Sequence, residues 1–439
     1  MRHFVLLFVG IGIWIFTNSP VSANVPLQQL IDETPINGKL ILEGKKYDGN
    51  IKINKPLTIT GEENTVIRGN GEGNVITIDA SNVTLKNLTI EHGSLSRSSD
   101  QEFSGIRAKG DYHQFINLVI HDVYHGLFLN KVRHAEVKNV SVTGQGTGKL
   151  GSQGNGIQLI RSSDIMIQDS YITQTRDGIF FEFADQVEVK DTLVTRTRYG
   201  LHYMYSNDNK FINNHFIKNT GGAAIMHSQG IILEKNQFSF NQGSRSFGLI
   251  IQTSEDNIIK NNEFYLNQRG IYLEQSNQNQ IIGNKFFHND IGIELWSSST
   301  NQVFTDNHFK QNVAHVLNVG GEASNHWFKN GRGNYWGNEQ SGFDLDQNGI
   351  GDSPIEYKSS LYKLIDENEL AYLFLKSPSI GIYEKINEVM NTQDVMVEDQ
   401  FPLIDEQGRQ SPSWLLPILF FIPILLIGIN QFYKYRRSR

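Results

Sequence analysis

The chain has 439 residues, 19% of them charged and 38% hydrophobic, and no cysteine, which excludes disulfides and thiolate metal ligands. Its formal charge of −7 understates the acidity of the body: with Arg2 in a leader and Lys434, Arg436, Arg437 and Arg439 in a tail, residues 24–413 carry 34 basic and 46 acidic side chains, a net of −12. An acidic body of this kind argues against nucleic acid as a partner.

Residues 1–23 read as a secretory signal, with Arg2, an apolar run Phe4–Phe16 and the small-residue pattern Val21-Ser22-Ala23. An uncleaved anchor is the alternative, and either one places the body outside the cytoplasm. Within 24–37, the amphipathic stretch Val25–Asp32 with Pro26 early suits a short helix capping one end of a strand stack. From Gly38 onward come apolar alternations such as Leu40-Ile41-Leu42, Ile51-Lys52-Ile53, Leu57-Thr58-Ile59 and Val83-Thr84-Leu85.

The central stretch repeats itself. Gly156, Gly178, Gly200, Gly222, Gly248, Gly270 and Gly292 are 22 residues apart, with one interval of 26. Apolar residues recur one, three, eleven and sixteen places after each glycine, in short period-two pieces separated by Asn, Asp, Gly and Ser. That patterning is strand rather than helix, and a fixed repeat of this length signals a solenoid. The expectation is an all-β fold, a right-handed parallel β-helix over 38–355 with about 22 residues per coil, its coils about 4.8 Å apart. Asn214, Asn236, Asn262 and Asn284 share the fourteenth place, where stacked amides satisfy turns along the stack. Between Gly126 and Gly156 the interval is 30, leaving a loop Thr143–Asn155. Its Gly148-Lys149 lacks the flanking residues of a phosphate-binding loop, so no nucleotide role is assigned.

After Phe309 the pattern changes. Asp344, Asp346, Asn348 and Asp352 occupy places 1, 3, 5 and 9 of a calcium-type loop with Gly349 at the turn, but Ile355 stands where glutamate is required. A calcium site and a plain Asx-rich turn both fit. Residues 356–413 are acidic and weakly patterned, expected as a stalk or linker with one helix around Ile380–Met390. Residues 414–433 read as a transmembrane anchor and 434–439 as a basic cytoplasmic tail, which places the body outside.

Candidate chemistry follows from strand alternation. If the first and third places after each glycine face the core, the second and fourth face outward in columns along the stack. The fourth-place column reads Ile160, Glu182, Met204, Met226, Gln252, Glu274 and Trp296; His202 is at a second place and His227 at a fifth. Met204 and Met226 on adjacent coils, with His202 and His227 nearby, suit either a soft ion such as Cu(I) or an adaptable apolar contact. Tyr203, Tyr205 and Glu182 are candidates for touching a partner. Glu274 and Glu294, with Phe180, Tyr272 and Trp296, leave open a cell-surface protein that binds or cleaves polysaccharide, although no further acid gathers beside them.

Four segments carry a resemblance. Arg198–Ser206 (RYGLHYMYS), Gly221–Ser228 (GGAAIMHS), Gly333-Asn334-Tyr335-Trp336 with Asp344–Asp352, and Pro56–Gly61 (PLTITG) resemble NosD, the family of β-helical maturation proteins for nitrous oxide reductase. The resemblance covers most of 25–357. It implies an exported, non-catalytic accessory that works beside an ABC transporter ATPase and permease and a copper chaperone lipoprotein, helping copper reach nitrous oxide reductase. The apolar stretch 414–433 departs from the family's usual soluble periplasmic form.

Overall fold

The computed structural model describes residues 25–95, 102–146, 150–243, 245–321, 324–337 and 343–404. Parallel strands stack into a β-solenoid of about twelve turns. One face is a sheet of 12 strands, one per coil, from Ile51–Ile53 to Ala314–Val319. The other faces form a sheet of 21 strands, joined near the N-terminus because Val83–Glu91, Gln114–His121 and Arg133–Thr143 run through the corner between them. The register follows the sequence repeat: Ile179 pairs with Leu201 and Leu201 with Ala223, 22 residues on, while Ala223 pairs with Leu249 across the 26-residue interval. Leu127 pairs with Ile157, so the loop after Thr143 is an excursion between neighbouring coils.

Each regular coil turns at four residues held at left-handed φ. After Gly178 these are Phe183, Gln186, Asp191 and Arg196, at 52°, 57°, 50° and 56°, and 22 residues on Tyr205, Asp208, Asn213 and Lys218 repeat them. Such a backbone costs a non-glycine residue about 1–2 kcal/mol. Buried asparagines behind the corners offset it. Asn214 Nδ2 donates to Val189 O at 2.8 Å and to Asn236 Oδ1 at 3.0 Å, while its Oδ1 accepts the Thr192 N–H at 3.0 Å. The donor chain continues through Asn262, Asn284 and Asn307 to Asn334, and a second runs from Asn241 through Asn267 and Asn289 to Asn312. Beside them Phe216, Phe238, Phe264, Phe286 and Phe309 stack at 4.9–5.2 Å, and Trp336 closes the pile at 4.8 Å. The glycine column is forced by this stacking: a Cβ on Gly200 would sit 2.6 Å from Gly222 O and 2.7 Å from the Phe216 ring.

Both ends are covered. Helix α1, Leu27–Glu33, buries Leu27 and Ile31 over the first coil. At the other end the expectation of a stalk is corrected up to residue 404. Strands Ile355–Ser359 and Asp394–Asp399 pair antiparallel, and between them lie α2 (Leu361–Glu367), a 3-10 turn (Glu369–Phe374) and α3 (Pro378–Val389). Leu361, Ile365, Leu375 and Ile380 form one apolar cluster with Ile291, Ala314 and Leu317. The acidic side chains that make this segment read as a linker lie mainly on its outside, while these few apolar residues do the packing. Asp399 accepts the Asn334 N–H at 2.7 Å and the Trp336 Nε1–H at 2.9 Å, so it terminates the amide ladder and holds the edge of the tryptophan that follows the phenylalanine pile. The signal at 1–23, the rest of the expected stalk, the anchor at 414–433 and the tail at 434–439 lie outside the described residues. Among the described residues, no helix is long and apolar enough to cross a membrane.

The ladder yields a stability prediction. Asn262, 1% exposed, receives the backbone and side-chain N–H groups of Asn236 and donates to Leu233 O and Asn284 Oδ1. Asn262→Ala strands several of these groups at about 1–3 kcal/mol each. Urea unfolding should show a loss of about 2 kcal/mol or more, against about 0.5 kcal/mol or less for Lys285→Ala on the exposed surface.

Candidate functional site

The methionine column stands as the repeat requires. Met204 pairs directly with Met226 in the 12-stranded sheet, Glu182 with Met204, Met226 with Gln252, and Gln252 with Glu274. All five side chains are half-buried. Two thioethers on neighbouring coils thus stand side by side, flanked by a carboxylate on one side and an amide on the other.

The histidines do not converge on them. His202 lies in the adjacent column and is 9% exposed; its Nδ1 is 2.9 Å from Asp177 Oδ2. Asp177 has no exposed surface and accepts from Arg198 Nε at 2.8 Å and Nη2 at 2.6 Å. The Arg198 guanidinium lies 4.5 Å over the Tyr199 ring, and Phe180 and Tyr199 meet the imidazole edge-on at 5.0 and 5.3 Å. Burial pushes the Asp177 carboxyl up, but its hydrogen bonds from His202 and Arg198 outweigh burial and hold it below the usual carboxylate range. Sequence reasoning passed over Asp177. The available signal was its place immediately before Gly178, with Arg198 one coil less one residue further on.

His227 lies at a left-handed corner and stacks on Tyr205 at 5.0 Å, which stacks on Phe183 at 5.3 Å; Phe183, Tyr205 and His227 are exposed. Of the expected contact residues, Tyr205 and Glu182 are therefore reachable. Tyr203 is not, and that expectation is corrected. Its ring is wholly buried between Phe181 and Phe211, Asn209 satisfies its hydroxyl, and burial drives the hydroxyl pKa well up. A third-place residue points inward whatever its polarity.

In the aspartate-rich loop, Asp344 accepts the N–H groups of Asn348 and Gly349, Asp352 that of Leu345, and Asn348 Oδ1 that of Ile350. These bonds are those of a self-closing Asx turn. Among the described residues, no group of three or more His, Asp or Glu side chains is arranged to hold a metal ion.

The two candidate acids line the same cleft but differ in exposure. Tyr199, Phe247, Tyr272 and Trp296 from the sheet and Tyr362 and Tyr372 from the C-terminal cap line a cleft of about 440 Å³. Glu274 borders it, bonded by Gln252 Nε2 at 2.8 Å and the Tyr272 hydroxyl at 3.2 Å. Glu294 is 1% exposed, sealed by Arg269 at 3.6 Å and the Tyr372 hydroxyl at 3.0 Å, and burial raises its pKa. The second-place column is thus largely covered rather than open to solvent: Tyr372 of the cap closes over Glu294, Glu102 bonds Gln158, and Asp177, Phe180 and Tyr199 enclose His202.

Residues 137–341 match the family model described as periplasmic copper-binding protein (NosD). A protein of Pseudomonas aeruginosa named a probable ABC transporter binding protein NosD is 25% identical, over 84% of this chain and 88% of its own length. One of the same name from Stutzerimonas stutzeri is 25% identical over 86% of each. Among solved structures, the catalytic domain of a GH87 α-1,3-glucanase in complex with tetrasaccharides reaches a TM-score of 0.54 at 13% identity, over 72% of this chain and 68% of its own, a likeness of fold.

The Asp177 cluster gives a pH-dependent expectation. Asp177→Asn leaves the half-buried Arg198 without its carboxylate and should cost up to about 3 kcal/mol at pH 7. Because the folded-state pKa lies below the unfolded value of about 3.9, that stabilisation is complete above the unfolded value and disappears as pH falls through the folded one. Wild type and variant should therefore differ in urea midpoint at pH 7 and converge in strong acid.

Proposed function

We propose, from the match of residues 137–341 to the family model described as periplasmic copper-binding protein (NosD) and from the two relatives of that name, that this chain is an extracytoplasmic, non-catalytic accessory in the maturation of nitrous oxide reductase, handling copper as cargo beside an ABC transporter. The observation that carries the copper part is the Met204–Met226 pair, two half-exposed thioethers on adjacent strands with no thiolate in the chain. Thioethers select Cu(I), and without thiolates a methionine pair releases it readily, which suits transfer rather than storage. His202 lies one column away with its Nδ1 engaged by Asp177 and does not converge on the pair, so the two thioethers carry the copper reading. His227, with Tyr205 and Phe183, forms an exposed aromatic ladder that a docking partner such as the reductase or a copper chaperone lipoprotein would meet. ATP is used by the transporter's own ATPase, which works with its permease, in keeping with the missing phosphate-binding motif here. In this reading residues 1–23 direct export, 414–433 anchor the body to the outer side of the cell membrane and 434–439 remain in the cytoplasm.

A second reading, polysaccharide binding at the cell surface, is favoured by one observation, the aromatic-lined cleft bordered by Glu274. If the accessory reading holds, Glu274→Gln leaves nitrous oxide reduction by the cell intact.

Two measurements test the proposal. Deletion of this chain should leave nitrous oxide reductase polypeptide present but deficient in copper, as read by metal analysis of the purified enzyme; a full copper complement would refute the role. Titration with Cu(I) against a competing chelator should show Met204→Leu/Met226→Leu binding about tenfold more weakly, a difference of about 1.4 kcal/mol. Leucine keeps the apolar volume and removes the sulfur, so equal binding would leave docking alone.

A further inference from the structure

Helix α3 is apolar on two adjoining sides, and only one of them is used. Ile380 is buried in the cluster that closes the solenoid, with Tyr383 packed against it. On the other side Ile382, Ile386, Val389 and Met390 are 62%, 52%, 78% and 66% exposed, at the spacing of one helical stripe. With the Lys385 stem they line a shallow depression of about 320 Å³. Lys385 Nζ pairs with Glu388 at 2.9 Å, so the charges bordering the stripe cancel. Single exposed apolar residues are ordinary, but a contiguous stripe signals something that covers it.

What covers it follows from where the chain goes next. Ile404 is bonded to Gly349 O within the cap, and only residues 405–413 separate it from the uncharged run that begins at Trp414. The ten residue steps from Ile404 to Trp414 span at most about 35 Å even when fully extended. An anchor beginning there holds the C-terminal cap close to the bilayer, and the cap is the part of the body that carries the bare stripe. We propose that the Ile382–Met390 stripe of α3 lies in the lipid surface, its apolar side chains at the boundary between headgroups and acyl chains, and so seats the C-terminal end of the solenoid on the membrane. An amphipathic helix binds an interface in this way through apolar area, with long charged side chains reaching out to water at the edge. Because Lys385 and Glu388 neutralise each other, attraction to anionic headgroups is not required and phosphatidylcholine suffices. The inference rests on the anchoring reading above.

The absence of native cysteine makes the test direct. Full-length protein with the single substitution Ile386→Cys carries a nitroxide label and is incorporated into phosphatidylcholine vesicles; Ile41→Cys, at an exposed site in strand Gly38–Leu42, is the reference. Accessibility to oxygen, which partitions into lipid, relative to a water-soluble nickel chelate should be several-fold higher at 386 than at 41. A label at 386 as open to the nickel chelate as the one at 41 overturns the proposal. So does a label shielded from both reagents, which would mean that protein covers the stripe. Flotation after an alkaline wash reports separately on the anchor. If the chain does not stay with the vesicles, the anchoring reading fails, and the same label ratio measured on protein mixed with vesicles at neutral pH still decides for or against the stripe.

Discussion

Everything in this molecule depends on one coil lying in register on the next, and the interaction that enforces the register is the buried asparagine amide. Each one donates to a carbonyl of the coil before it and to the amide of the coil after it, and accepts backbone N–H groups from its neighbour. An amide is suited to this place because it offers two donors and an acceptor with two lone pairs on a short side chain. Slipping by one residue would bury several unpaired groups and turn every strand inside out. The left-handed corners persist because these bonds, and the aromatic pile beside them, recur at every turn.

A stack of this kind has no natural end, so its last coil has to be terminated chemically. Asp399 does this from a strand 65 residues beyond Asn334, receiving the N–H that the next asparagine of the ladder would otherwise take. Trp336 ends the phenylalanine pile, and Tyr357 stacks on it at 5.8 Å. The cap is therefore part of the same hydrogen-bonded and apolar core as the coils. Its helices also reshape the outer face, roofing the aromatic cleft and sealing Glu294.

The same register sets what the outer face can do. Identical places on successive coils stand about 4.8 Å apart, so a residue type repeated at one place becomes a row of neighbouring groups. Met204 and Met226 are such a pair. Beside them, Asp177 draws His202 down onto the sheet and fixes which nitrogen faces away from the carboxylate. The corner ladder of Phe183, Tyr205 and His227 presents ring edges to solvent at the rim of this face.

How much of this was legible in the sequence follows from how the information is spaced. The coil length, the glycine column, the inward apolar places and the amide ladder through Asn284 repeat every 22 residues, and a repeat announces itself because each copy confirms the others. The direct pairing of Met204 with Met226 followed from the same arithmetic. Contacts that occur once have no such echo. Asp177 with Arg198 and His202, Asp399 with Asn334 and Trp336, and Tyr372 with Glu294 join side chains through directions that strand periodicity does not specify. Tyr203 shows the limit from the other side: expected to touch a partner, it stands at a third place of the repeat and so lies in the core, where Asn209 satisfies its hydroxyl. The sequence by itself determined the solenoid and its columns, because register is a local rule applied many times. Tertiary structure alone decided which column is roofed, which histidine is engaged and that an acidic segment folds into a cap, because those outcomes depend on single long-range contacts between a non-repeating end and a repeating body.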